Sequence, residues 1–227
     1  MARLALKSVL PAVFITFLLT IAVYGQRISL DVGVNAGVPL AKGVQDEAIR
    51  PSFGAGRTNV ERPQFVLGPA VQLNLGGRFA VEVDGFYRPV RFQTQQTDTA
   101  VTSTQSTRAT SLEVPIFARF PFNLGRLRSF AGAGFIVYDR LSGTTDVHNI
   151  LHNQGDREIH VTSHYGPIDS ASSSPPFLAG GGLEFTSGPF TLAPQFRYTR
   201  WIGEPVRKPN QWDILIGITL PVLHLRQ

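Results

Sequence analysis

Four of the five histidines fall in one polar stretch, as His148, His152, His160 and His164. They form two pairs, each with three residues between its members. That spacing sets both members of a pair on one helical face or along one strand. Clustered imidazoles suit zinc, copper or nickel. The same stretch contains His160-Val161-Thr162-Ser163-His164, with Glu158 close by in sequence. A hydroxyl, an imidazole and a carboxylate are the parts of a hydrolytic triad, provided each lies within hydrogen-bond reach of the next. Both chemistries need a rigid support, and residues 142–175 are expected to form a long loop. A solvated polar loop in which histidines cluster by chance is therefore the preferred reading, and no metal ligand, catalytic residue or cofactor is assigned. The chain has no cysteine, which removes disulfides and thiol chemistry. It also lacks a phosphate-cradling loop and any dinucleotide fingerprint.

A second set of chemical groups sits inside strand-like segments. Residues 64–92 form two arms joined at Gly76-Gly77, a strong hairpin signal. Phe65, Leu67, Val71, Leu73, Leu75, Phe79, Val81, Val83 and Tyr87 are the apolar side of this alternation. Gln72, Asn74, Glu82, Asp84 and Arg88 occupy the polar positions. Successive strand side chains point to opposite faces, so carboxylates lie mid-strand, back to back with aliphatics. The same pattern recurs along the chain. It places Asp31, Glu82, Asp84, Glu113, Glu184 and Asp213 on one face together with Arg88, Arg119 and Arg197. Buried charges are tolerable only when paired. These nine residues are expected to form an ionic network around the three arginines that fills an interior, with no catalytic role.

Eight strand-like segments position these groups: 27–39, 64–75, 78–92, 111–121, 129–141, 176–186, 190–201 and 211–223. The inward parity of the fifth cannot be assigned. Their links alternate in length. Gly76-Gly77, 122–128 and 187–189 are short, while 40–63, 93–110 and 142–175 are long and polar, with 202–210 between. Compact soluble domains seldom hold structureless loops beyond about 15 residues, whereas membrane-spanning barrels have short turns on one rim and long loops on the other. Bilayer hydrocarbon admits only helices and closed sheets, and eight strands make a small closed barrel filled by its own side chains. The expected fold is all-β: a closed eight-stranded antiparallel up-and-down transmembrane β-barrel. Pro69, Pro89, Pro115 and Pro194 fall inside predicted strands. Each lacks a ladder donor, so bulges or near-rim positions are expected there. Tyr87, Tyr138, Tyr198, Trp201, Trp212 and Phe65 are expected at the rims, where amphipathic rings favour an interface.

Residues 1–25 have the pattern of a signal peptide, with Arg3 and Lys7 ahead of an apolar run over 9–23. The barrel then spans 26–227. Charged residues are only 16% of the chain, and glycine (22) and proline (16) are abundant, a turn-rich β composition rather than a helical one. The formal charge of +5 is scattered without a Lys/Arg run, which argues against a nucleic-acid partner.

The sequence resembles the small outer-membrane β-barrel domain family, the OmpA/OmpX-type eight-stranded barrels of Gram-negative bacteria. The resemblance rests on Gly76-Gly77-Arg78-Phe79-Ala80-Val81-Glu82-Val83, Leu112-Glu113-Val114-Pro115-Ile116 and Ala131-Gly132-Ala133-Gly134. It continues in Gly180-Gly181-Gly182-Leu183-Glu184-Phe185 and Gln195-Phe196-Arg197-Tyr198-Thr199-Arg200-Trp201. It implies a multi-pass outer-membrane location, contact with outer-membrane lipid and lipopolysaccharide, and insertion by the barrel-assembly machinery. Family members commonly end on an aromatic residue, and this chain ends His224-Leu225-Arg226-Gln227. The expected role is non-enzymatic and monomeric, in envelope structure or surface interaction, with a lumen too filled for general porin activity. Two alternatives remain open: a secreted or periplasmic soluble β-barrel that binds a small apolar ligand, and an outer-membrane lipid hydrolase.

Overall fold

The computed structural model describes residues 28–40, 55–60, 65–97, 100–152, 157–169, 175–202 and 209–225. The leader expected over 1–25 lies outside them. The described residues form eleven strands in one sheet. They are β1 (Ile28–Pro39), β2 (Ala55–Val60), β3 (Val66–Leu75), β4 (Phe79–Asp84), β5 (Phe86–Thr97), β6 (Val101–Leu124), β7 (Leu127–Leu151), β8 (Arg157–Asp169), β9 (Phe177–Ser187), β10 (Phe190–Arg200) and β11 (Asn210–Leu225).

The pairings close into a ring. β4 and β5 are two halves of one strand interrupted at Gly85, and both pair with β3 and with β6. Around the ring the order is β1, β3, β4/β5, β6, β7, β9, β10 and β11, and β11 pairs back onto β1 from Ile28↔Leu225 to Pro39↔Asp213. Every neighbouring pair is antiparallel, giving a ring of eight strands in chain order. Each ring strand has a partner on both sides, so the ring itself has no open edge. β2 and β8 lie outside it and pair with the far halves of β5 and β7.

The short links lie together on the rim that carries Ile28 and Leu225. Gly76 and Gly77 have φ of 66° and 74°, the left-handed geometry that a tight hairpin turn requires at both central positions. On the opposite rim the structure corrects the expected long loops. Residues 93–110 are not a loop: β5 runs to Thr97 and β6 starts at Val101, paired residue for residue from Phe86↔Glu113 to Thr97↔Thr102. Much of 142–175 is likewise the upper half of β7 paired with β8, from Arg140↔Asp169 to Leu151↔Arg157. The physical reason is β-branching. Thr94, Thr97, Thr102, Thr104, Thr107 and Thr110 favour extended backbone, and Thr-rich polarity is not a turn signal. The ten residues of β6 before Ser111 extend about 33 Å along the strand direction.

The four prolines expected inside strands, Pro69, Pro89, Pro115 and Pro194, coincide with gaps in the ladder. The β6–β7 register shifts between Val114 and Pro115. Pro69 accepts a bond from the Gly85 amide at the β4/β5 break. Pro194 sits where the β10–β9 pairing skips from Leu192 to Gln195. Pro89 falls between the part of β5 paired to β3 and the part paired to β2. In each place the missing N–H costs no ladder bond. The bulge at Pro115 also explains why the parity of the fifth segment could not be read. Phe130 and Ile136 are buried, and beyond the shift so is Asp139, an odd step that no fixed period of two accommodates.

The two faces of the ring differ in kind. Outward lie Val34, Leu67, Val71, Tyr87, Leu112, Phe120, Phe196 and Ile216, all well exposed. Inward lie Asn35, Gln72, Glu82, Asp84, Arg88, Glu113, Arg119, Gln195, Arg197 and Asp213, all nearly inaccessible. Between them sit a few interior apolar side chains, including Phe86, Phe117, Phe130 and Leu215. Phe196 and Tyr198 pack on Trp212 at centroid distances of 4.9 and 4.5 Å, toward the tall rim. Trp201 departs from the rim expectation. It is buried, and its indole N–H donates to Gln211 Oε1 at 3.2 Å.

Candidate functional site

Eight of the nine charged side chains expected to converge inside the ring lie there in two clusters. In the first, Arg197 on β10 reaches across to β4. Its guanidinium donates to Asp84 Oδ2 at 2.6 Å, to Glu82 Oε1, and to Gln195 Oε1 on its own strand. Arg119 on β6 donates to Glu82 Oε2 at 2.6 Å, to Glu184 Oε1 on β9 at 2.7 Å, and to Gln72 on β3. Arg128, half exposed at the short-turn rim, closes the far side of Glu184 at 2.8 Å. Three arginines thus face three carboxylates.

In the second cluster, Arg88 on β5 makes a two-pronged contact with Asp213 on β11, both prongs 3.1 Å, and donates to Glu113 Oε1 at 3.2 Å. Gln211 supports Asp213 through its side-chain amide. The Ser111 hydroxyl lies 3.0 Å from Glu113 Oε1 and 3.1 Å from Asp139 Oδ1.

Asp31 departs from the expected ionic role. Its Oδ2 accepts from Asn74 Nδ2 at 2.8 Å, with no arginine partner among the described residues. Further polar residues complete the clusters, and of these the sequence placed only Gln72 and Asn74 on the polar face of the hairpin. Asn35 donates to both Glu82 and Asp84 and accepts from Gln195. Gln72, Asn74, Ser111, Gln195 and Gln211 share the inward parity, which is the signal that finds them, whereas Asp139 lies beyond the bulge in β7 and no parity marks it.

Some of the ties run along ladder neighbours, as Arg88 to Glu113 and Arg119 to Glu82 do, and others cross between strands that are not neighbours. Arg88 to Asp213 spans β5 to β11, and Arg197 to Glu82 spans β10 to β4. The Arg119 guanidinium also lies 3.6 Å over the Phe130 ring, and that of Arg197 lies 4.9 Å from the Phe117 centroid. Cations desolvated over aromatic faces gain roughly 2 kcal/mol or more. Losing one partner of such a buried pair costs about 3–5 kcal/mol, because the other charge is left uncompensated. This interior is a cross-brace built of hydrogen-bonded guanidinium and carboxylate groups.

The histidines lie on the tall hairpin. The expected pairs, His148 with His152 and His160 with His164, are not brought together, because four strand residues span about 13 Å. Instead His148 and His160 are direct cross-strand partners. Their rings stack at 4.0 Å with 8° between planes. Glu158 Oε2 lies 3.6 Å from His148 Nε2 and 3.8 Å from His160 Nε2. His152 and His164 are engaged elsewhere, with Thr102 and Thr144. The triad arrangement is not assembled either. Ser163 opposes Thr145 and points to the other face of β8 from His160, His164 and Glu158.

No protein-family model matches this sequence, and no curated protein matches it. Solved structures of similar shape include Neisserial surface protein A, at 12% identity and TM-score 0.34, covering 86% of this chain and 99% of that one. Ail, the attachment invasion locus protein of Yersinia pestis, shares 10% identity at TM-score 0.37, covering 87% of this chain and 99% of that one. The outer membrane protein OprG from Pseudomonas aeruginosa shares 10% identity at TM-score 0.40, covering 87% and 96%. Likeness at this level carries no argument about what this chain does.

Proposed function

We propose that this chain is an integral outer-membrane β-barrel of a Gram-negative envelope, of the OmpA/OmpX type, with residues 1–25 as its export signal. The observation that carries this reading is the inverted polarity of the ring: aliphatic and aromatic side chains outside, arginines and carboxylates inside. A water-soluble sheet is built the other way round, and a contiguous apolar surface of this extent needs a cover. On β11 the outward run is Trp212, Ile214, Ile216, Ile218, Leu220 and Val222, every one at least 37% exposed. Ten residue steps are about 33 Å along the strand, or about 25 Å of height at a tilt near 40°, the depth of a bilayer's apolar band. The ring satisfies its backbone internally, as hydrocarbon demands.

The two ionic clusters act as a plug and brace, so general porin conduction is not part of this function. The role is non-enzymatic: envelope structure, or interaction at the surface through the tall β5–β6 and β7–β8 hairpins. Outer-membrane lipid and lipopolysaccharide are the surroundings, assembly machinery is met during insertion, and the working unit is a monomer. A soluble barrel holding an apolar ligand fits less well, since it would line its interior with the residues found here on the outside.

Fractionation tests the reading. The full chain expressed with its leader in a Gram-negative host is expected in the detergent-extracted outer-membrane fraction, and its unheated form should run differently from the boiled form on a detergent gel. Recovery in the soluble periplasm with no such shift would refute it.

A further inference from the structure

We infer that the β7–β8 hairpin carries a binding site for a divalent transition cation of the zinc, nickel or copper class, formed by His148, Glu158 and His160. Cross-strand pairing puts His148 opposite His160, and the alternation of β8 puts Glu158 on the same face two residues earlier. The stacked rings hold their Nε2 atoms side by side, and both face the same carboxylate oxygen.

The donor atoms are spaced as a small cation requires. The three donor atoms lie within 4.8 Å of one another. With two of the separations at 3.6 and 3.8 Å, a point equidistant from all three is about 2.4 Å or less from each, against roughly 2.0–2.2 Å for zinc bound to histidine or carboxylate. Binding would tilt the two stacked rings toward one another, because a metal ion lies in the plane of each imidazole that holds it and the rings are only 8° from parallel.

The site has an electrostatic reason to recruit a cation. His148 Nε2 is shielded from solvent and makes no hydrogen bond among the described residues. An orphaned ring nitrogen beside a carboxylate is a cost that a metal ion relieves. Two imidazoles and one carboxylate leave a fourth position open to water or an incoming donor. The donor set also excludes calcium and magnesium, which need six or more oxygen ligands or a near-octahedral oxygen shell. The ladder on both sides of β7 fixes His148, since Thr104 of β6 pairs with it from the other side, and the β7–β8 register sets His160 against it. This site lies on the hairpin beyond the ring clusters and does not depend on what surrounds the ring.

The test uses the full mature chain folded in detergent micelles and Zn2+ alone as the probe. Calorimetric titration is expected to show one equivalent bound. His148→Ala and His160→Ala should each weaken binding by at least about tenfold, Glu158→Gln should weaken it measurably, and His164→Ala should leave it unchanged. A second readout keeps the wild-type chain intact: acylation of histidines by diethyl pyrocarbonate, followed by mass spectrometry. Zinc should protect His148 and His160 and leave His164 reactive. No retained zinc in the wild-type chain would overturn the inference. Equal losses from His164→Ala and His148→Ala, or equal protection of all the hairpin histidines, would also overturn it, because they would show diffuse binding by a histidine-rich surface.

Discussion

Replacing Arg197 with methionine keeps most of the side chain's length and removes its charge. The guanidinium is buried, pairs with both Glu82 and Asp84, and donates to Gln195. The two carboxylates do not lose equally. Glu82 keeps Arg119 at 2.6 Å and the Asn35 amide, whereas Asp84 keeps only Asn35 at 2.7 Å among its described partners. One buried charge is thus stranded and the other weakened, which places the cost at about 3–5 kcal/mol. Urea unfolding of the refolded chain in lipid vesicles, followed by tryptophan fluorescence, measures it. Asp84→Asn added to Arg197→Met should recover part of the loss, with a coupling of roughly 0.5–3 kcal/mol between the sites. A loss below about 1 kcal/mol, or strict additivity, would refute the picture of the interior as an interdependent ionic brace.

Arg88→Gln should destabilise by a similar amount, because Glu113 and Asp213 lose their shared cation; the same unfolding assay reads it. Ile216→Arg, at mid-height on the outward face, should cost about 2–4 kcal/mol in a bilayer and much less in a solvated setting, a contrast that vesicle and urea titrations resolve. Gly217→Val should hinder folding, since a Cβ at Gly217 runs into Asn35 Oδ1, the hub of the Arg197 cluster; the expected result is a reduced folded band on an unheated detergent gel.

Much of this architecture is legible in the chain because a period of two is legible. Where Val81 and Val83 flank Glu82, one strand shows both its faces, and six more segments repeat the signal. Reading failed where the period broke or where polarity was mistaken for looseness. At Val137 a bulge shifts the register, so the inward set passes from Ile136 to Asp139, and no alternation assigns that strand. Between Thr94 and Thr110 every residue but two alanines and a valine is polar or charged, yet the β-branched threonines build a ladder. Asp31 has the right face but no arginine partner among the described residues, because charge parity gives a face and not a height. The pairing of His148 with His160 is a matter of inter-strand register, which spacing along one strand does not contain. What spacing offered instead was two pairs that extended backbone pulls apart.

The two tryptophans give the most direct test of the ring's polarity, since Trp212 lies on the outer face and Trp201 is buried within. Single-tryptophan variants, Trp201→Phe and Trp212→Phe, would be folded into vesicles whose acyl chains carry bromine near the headgroup end. Fluorescence from Trp212 should be strongly quenched by the bromines, and fluorescence from Trp201 should be nearly untouched. Failure of the bromines to quench Trp212, with the chain remaining in the aqueous phase, would contradict the membrane-spanning ring.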